Sequence, residues 1–422
     1  MHPIKELKAY EILDSRGRPT VFCRCTLENG ISEGASVPSG ASTGKSEAHE
    51  LRDHDKGRFH GLGVSGTVQN INTEIHRHCK GKRFTHQSEF DNDLITLDGT
   101  AHKQRLGANA ILACSLAFAK ASAKHKNLPL YAYFATLTGK KTDRLPKPTI
   151  NLFSGGLHAG GQIAIQDVLL VPATANTTMN VLERVYAIYY AAADLIFEKY
   201  NMRTLRADEG GLAPPFPNTE AMFDDTLSAI ERAGYVPGKD VFLAIDVASS
   251  RFFKNGNYQI DRKKVSSREM IDIIDAWTNE YPLVSVEDGL AEEDWYHWPL
   301  LKKQIQAKAL VLGDDLLCTN PERIQKAIAT DAANALLLKV NQIGSLTEAA
   351  KAYQLAKEAG WQITVSARSG ETEDHWLADL AVGWGADQIK IGSITQSERL
   401  AKYNRLLMIE DETNFPMNKW PG

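Results

Sequence analysis

Three apolar runs in this sequence end on a carboxylate: VFLAID on Asp246, LVSVED with Glu287, and LVLGDD with Asp314. Each acid follows buried-strand material, so each belongs at a strand's carboxyl end. Carboxylates brought that close repel one another unless a divalent cation sits among them, and an all-oxygen ligand set favours magnesium or manganese over zinc. Taken singly, any of them could instead cap a helix or carry a loop charge. Lys339 is the odd residue in ALLLKVN. Desolvation lowers the pKa of a buried ammonium by up to ~3–5 units, so Lys339 is expected to be a neutral amine able to take a proton. A structural ion pair with one of the acids is the plain alternative. Arg368 and Ser369 in SARSG, and Lys390 in the next apolar run, suit a phosphate or a carboxylate. Two loops add to this set. Asp208-Glu209-Gly210-Gly211 puts an acid before a glycine pair, where backbone can approach a ligand. GGLHAGG sets His158 among glycines, a composition fit for a closing loop, with Asp167 nine residues later.

Something must bring these residues together. Short apolar runs at 241–246, 283–288, 310–315, 335–340, 363–368 and 388–393 read as buried strands, and the last five recur about every 25 residues. Helical patterns such as 346–359 lie between them. That alternation predicts a parallel sheet with crossover helices, either an open doubly wound sheet or a closed (β/α)8 barrel. The barrel is preferred because nearly every run ends in a polar residue, and barrels gather such residues on one face. Residues 1–137 read differently, as a small α+β unit. Its β-prone segments are 9–13, 20–27 and 31–37, with Asn29-Gly30 as a hairpin signal, and a helix of small residues is expected at 107–124. Residues 138–422 are assigned to the barrel.

Bulk properties exclude several classes. The chain has 422 residues, 43% of them hydrophobic, a formal net charge of −4, and no long basic run. Nucleic acid and anionic membranes are therefore not expected partners. No apolar run approaches the ~20 residues that span a bilayer. Residues 1–14 lack the apolar core of a signal peptide. The five cysteines form no pair of CxxC motifs, which predicts reduced thiols in a cytoplasmic protein. Two nucleotide motifs fail. GASTGKS at 40–46 has Ser39 where a P-loop needs glycine, and GLGVSG at 61–66 follows polar residues where a strand is required.

Six blocks carry a resemblance. LDSRGRPT (13–20), PSGASTG (38–44), LGANAIL (106–112), DEGG (208–211), KVNQIGSLTE (339–348) and RSGETED (368–374) closely resemble the enolase family, and SERLAKYN (397–404) extends the match almost to the end. The resemblance implies an α/β protein, an enolase-type modified (β/α)8 barrel with an N-terminal α+β capping domain. It implies a homodimer with two magnesium ions per site. By the same resemblance Asp246, Glu287 and Asp314 hold the first ion, and Ser42 helps hold the second. Lys339 falls on the base that removes the proton next to the substrate carboxylate, by way of an enediolate. Glu209 falls on the acid that assists departure of hydroxide, and Asp167 lies in the neighbouring loop on the same side. His158, Arg368, Ser369 and Lys390 fall on positions lining the substrate. The substrate class implied is a small phosphorylated carboxylic acid, 2-phosphoglycerate or an analogue.

Three positions depart from the family pattern. Ala367 stands where enolases have histidine, Asp167 where they have glutamate, and Gln396 where they have arginine. The first two lie on the leaving-group side, and losing one positioned group there typically costs ~10²–10⁴-fold in rate. Two substrates therefore stay open: 2-phosphoglycerate itself, and a phosphonate-modified analogue of the kind used by carboxyphosphonoenolpyruvate synthases, for which Ala367 would leave room. A non-catalytic binding protein on the same frame is a third reading, opposed by the presence of Lys339 and all three acids.

Overall fold

A computed structural model of the chain describes residues 2–41, 44–140 and 143–421. The N-terminal part opens with an antiparallel meander, β1 (Ile4–Leu13), β2 (Pro19–Leu27) and β3 (Ser32–Ser36). The Asp14 carboxylate shapes the β1–β2 turn by accepting the N–H groups of Arg16 and Arg18 at 2.8 and 2.9 Å. Alternate residues of β2, Val21, Cys23, Cys25 and Leu27, are fully buried. They face the helix Ala108–His125, in which Ala110, Ala113, Cys114 and Ala117 are fully buried too. Small side chains let that helix approach the sheet closely.

The barrel strands are β4 (Lys147–Ser154), β5 (Asp167–Val171) and β6 (Phe242–Asp246), then, after a small separate meander of β7 (Phe253–Lys254), β8 (Asn257–Ile260) and β9 (Lys263–Val265), β10 (Leu283–Glu287), β11 (Leu310–Gly313), β12 (Ala335–Leu338), β13 (Gln362–Ser366) and β14 (Gln388–Gly392). Among the described residues, β4–β6 and β10–β14 close into one barrel, with β14 pairing back onto β4. Helices on the outside join them, including Ser267–Glu280, Pro321–Thr330 and Leu346–Glu358. Their starts carry the expected chemistry. Ser266 and Glu269 form a reciprocal capping box, Asn320 caps ahead of Pro321, and Ser345 accepts the N–H of Glu348.

An all-parallel sheet is not what forms. β5 runs antiparallel to both β4 and β6, while the remaining pairs are parallel. The connection explains it. Residues 155–166 hold one short turn of helix, Gly156–Ala159, and no crossover helix, so β4 returns as a hairpin. The reversal puts the first residue of β5, Asp167, at the same rim as the last residues of β4 and β6: Asp167 is in register with Ser154 and with Asp246.

The N-terminal part is tied to that rim. Ser39 and Gly370 exchange two backbone hydrogen bonds, at 2.8 and 2.9 Å. Lys120 reaches Asp374, and Lys103 reaches Glu348. Among the described residues, no helix is long and apolar enough to cross a membrane.

Candidate active site

The strand ends deliver their polar residues to one place. Asp246 and Glu287 close β6 and β10, Asp314 and Lys339 directly follow β11 and β12, and Lys390 sits within β14. One cavity of about 10 Å³, room for roughly one water, is lined by His158, Gln166, Glu209, Asp246, Lys339, Ala367, Arg368, Ser369 and Lys390 among others. Its centre is crossed by ammonium groups. Lys390 Nζ donates to Asp246 Oδ2 at 3.0 Å and to Glu287 Oε2 at 2.7 Å. Lys339 Nζ donates to Asp314 Oδ2 at 2.5 Å.

Lys339 differs from the sequence expectation of a neutral amine. Burial is the largest influence and pushes its pKa down, but the Asp314 and Glu287 carboxylates together carry it above the ordinary lysine value. Lys339 stands in the ion pair that the sequence offered as the alternative.

The acids have the chemistry of a cation site. Glu287 Oε1 is buried and has no hydrogen-bond partner. Burial, and then the neighbouring Asp246 carboxylate, push the Glu287 pKa well above its usual range. Asp246 is also buried, yet Lys390 and Lys339 hold its pKa down to about 2. An orphaned carboxylate oxygen beside a second acid is a vacant ligand with an electrostatic demand for positive charge, so the residues fit a divalent ion. Among the described residues, the groups whose ligand atoms all lie within 4.8 Å of one another are His158, Asp167 and Glu209, and Asp288, Asp314 and Asp315; Asp246, Glu287 and Asp314 do not form one. Asp288 is already engaged: its two oxygens accept the N–H groups of Asp314 and Asp315 at 2.9 and 2.7 Å. It serves to aim Asp314. Ser42, expected at the second ion, lies outside the described residues.

The opposite wall is a chain of acid, imidazole and acid. Asp167 Oδ1 accepts from Asn151 and Ser154, both at 2.7 Å, and Asp167 Oδ2 meets His158 Nδ1 at 3.1 Å. His158 Nε2 lies 3.9 Å from Glu209 Oε1. Burial alone would lower the histidine pKa; the carboxylates of Asp167 and Glu209 reverse that and raise it to about 9. Burial likewise opposes ionisation of Glu209 most strongly, but His158, Arg399, Lys390 and Lys339 together outweigh it and its pKa is lowered. The raised His158 pKa favours a proton on the imidazole, while burial raises the Asp167 pKa against the pull of His158.

Close packing of glycine places Glu209. Gly210 has φ +85°, open to glycine at little cost. A Cβ on Gly211 would lie 2.7 Å from both Asn151 Oδ1 and Ser154 Oγ, so only glycine lets the turn press against β4.

Arg368 and Ser369 also line the cavity, but both are engaged with the N-terminal part. Arg368 donates to both oxygens of Glu47 at 3.2 Å and to Asn341 Oδ1 at 2.8 Å. Ser369 Oγ accepts from Arg16 at 3.0 Å and from the Ala41 N–H at 2.8 Å. Several partners escaped the sequence reading: Gln166, which donates to Asp246 at 2.9 Å, Gln342, which donates to Asp314 at 2.8 Å, and Asn151, Ser154 and Glu47. Gln342 stands three residues after Lys339 on the short helix Val340–Ile343, and that spacing was its one available signal.

Residues 4–134 match the family model described as Enolase, N-terminal domain, and residues 142–417 match Enolase, C-terminal TIM barrel domain. The chain belongs to the enolase family. The reversed β5, the strand-end acids and the lysine after β12 therefore lie in the barrel of an enolase-family chain that has Ala367 lining its cavity.

Proposed function

We propose that this protein is a magnesium-dependent hydro-lyase that removes water from 2-phosphoglycerate, or a close analogue, to give phosphoenolpyruvate or its analogue. One observation carries the reading: Lys339 and the His158–Glu209 pair line the same small cavity, a base and a proton donor facing one substrate. Asp246, Glu287 and Asp314 would hold the first ion, and Ser42 falls where the second is expected. Bound there, magnesium would stabilise the negative charge that develops on the substrate carboxylate oxygens.

The chain's own residues do the rest. Lys339 takes the proton from the carbon beside the carboxylate, which requires that Nζ first give up its bond to Asp314 and its own proton. The departing hydroxyl is a poor leaving group and takes a proton from the His158–Glu209 pair. Asp167 holds the imidazole in the orientation that points Nε2 at Glu209. Arg368 and Lys390 would face the anionic groups of the substrate. A second reading is favoured by Ala367: a methyl group lines the cavity where the family has an imidazole, which suits a phosphonate-modified analogue of the same acid.

The first assay follows absorbance of phosphoenolpyruvate formed from 2-phosphoglycerate with magnesium. Turnover at ~1–10³ s⁻¹, lost in Lys339→Ala, is the expected result. Magnesium binding without turnover of this substrate would reject it and leave the modified analogue to be tried.

A homodimer belongs to the same reading. On the helix Thr178–Tyr200, Met179, Tyr186, Tyr190 and Phe197 are 49%, 57%, 47% and 62% exposed. Their spacing of seven, four and seven puts them on one helical face, and an apolar stripe of that size is the usual mark of an association surface.

A further inference from the structure

A cavity of about 590 Å³ lies where the N-terminal part meets the outside of the barrel, away from the strand ends that carry the catalytic groups. Its lining comes from both parts. His86, Gln87, Ser88, Lys126, Tyr133 and Thr136 belong to the first; Thr347, Ala350, Lys351 and Gln354 lie on the barrel helix Leu346–Glu358.

The charges are one-sided. The lining contains Lys126, Lys351 and His86, and no aspartate or glutamate. That is unusual in a chain of net charge −4. Neither lysine has a carboxylate within ion-pair distance among the described residues, although many other lysines here do, including Lys82, Lys103, Lys120 and Lys357. Lys126 is not loose: its ammonium lies 5.3 Å from the centre of the Tyr133 ring. Two helices begin at this cavity, Gln87–Asp98 and Leu346–Glu358, and both turn their positive ends towards it.

The wall behind the lysines is built and rigid. The buried Tyr133 hydroxyl donates to Gln87 Oε1 at 3.1 Å, and Gln87 Nε2 donates to Asp91 Oδ1 at 2.9 Å. Asp91 Oδ2 accepts the Thr347 N–H and hydroxyl at 2.9 and 2.6 Å. Two acids lie close by: Asp91 is consumed, fully buried, in joining the two parts, and the Glu89 carboxylate accepts the backbone N–H groups of Thr85 and His86. Neither forms an ion pair with a lysine of the lining.

We propose that this cavity binds a small phosphorylated anion, held by Lys126 and Lys351, with His86 and the Ser88 hydroxyl as further donors. Its volume falls in the range of small-metabolite sites, and its charge selects a doubly or triply charged ligand over a neutral one. The occupant would bridge the N-terminal part to the helix that begins seven residues after Lys339, and so would stiffen that junction.

The test uses pyrophosphate as the probe, with the full-length protein, no divalent metal, and constant ionic strength. Calorimetric titration and thermal unfolding report binding, with sulfate and chloride as comparisons. Pyrophosphate is expected to bind and to raise the melting temperature. Lys126→Glu and Lys351→Glu, both exposed and so compatible with folding, should each weaken binding roughly tenfold, the loss of one charge-assisted contact. Arg368→Ala should leave that binding in place. Binding lost in Arg368→Ala but kept in the Lys126→Glu, Lys351→Glu double variant would place the anion at the catalytic rim and overturn the proposal. Equal responses to pyrophosphate, sulfate and chloride, or no binding, would overturn it too.

Discussion

A protonated imidazole between two carboxylates is the residue-scale feature with the clearest energetic signature. The folded-state pKa of His158, about 9, stands above the ordinary value of 6.5. A raised pKa contributes stability that is fully present below about pH 6.5 and is lost as pH rises through about 9. The cost of His158→Gln to folding stability should therefore be larger at pH 6 than at pH 10, by on the order of 2–3 kcal/mol. Denaturant unfolding at the two pH values measures this; a cost independent of pH would mean that the imidazole is neutral. Lys339 offers a second test at this scale. Lys339→Ala should lose ~10²–10⁴-fold in exchange of the substrate's carbon-bound hydrogen with solvent, a step that precedes loss of water. Exchange at the original rate would assign the base elsewhere.

At the scale of elements, the reversed β5 and the glycine turn before it decide the geometry. The sequence showed β6 and β10–β14 to within a residue or two, because each is a continuous apolar run bounded by polar residues. It did not show β4, β5 or the small meander β7–β9. Five residues, Asp167–Val171, look like any buried strand, and direction is set by the length of the preceding connection, which a composition rich in glycine does not advertise. Strand-end acids were legible for the same reason that the strands were. Their partners were not: Gln166, Asn151 and Ser154 are ordinary polar residues whose role exists only once β4, β5 and β6 lie side by side. For Lys339, burial could be read from the apolar run, while the approach of Asp314 across β11 and β12 could not. Gly211 tests the turn. Gly211→Ala forces Asn151 and Ser154 from their present positions, and both hold Asp167. We expect a loss of ~1–3 kcal/mol in stability together with reduced turnover; unchanged kinetics would show that the Asp167–His158 alignment does not depend on this contact.

For the whole molecule, the exposed face of the helix Thr178–Tyr200 predicts self-association. Tyr190→Glu, with Phe197→Glu added if needed, should convert a dimer to a monomer by light scattering, without loss of the barrel's circular dichroism. A monomer already present in the unmodified protein would leave the stripe without this role. The hairpin of β4 and β5 has a consequence in time as well as in space. Its pairing is local, Ser154 with Asp167, so it can form early, while the chain between is short. The seam that completes the barrel joins Lys147 to Gln388, from opposite ends of the catalytic part. Closing it demands ordering nearly everything in between. Contact separation therefore predicts that Asp167 is placed early, by the first hairpin, and Lys390 late, with the last strand. A chain released before β14 would carry the acids without their lysine.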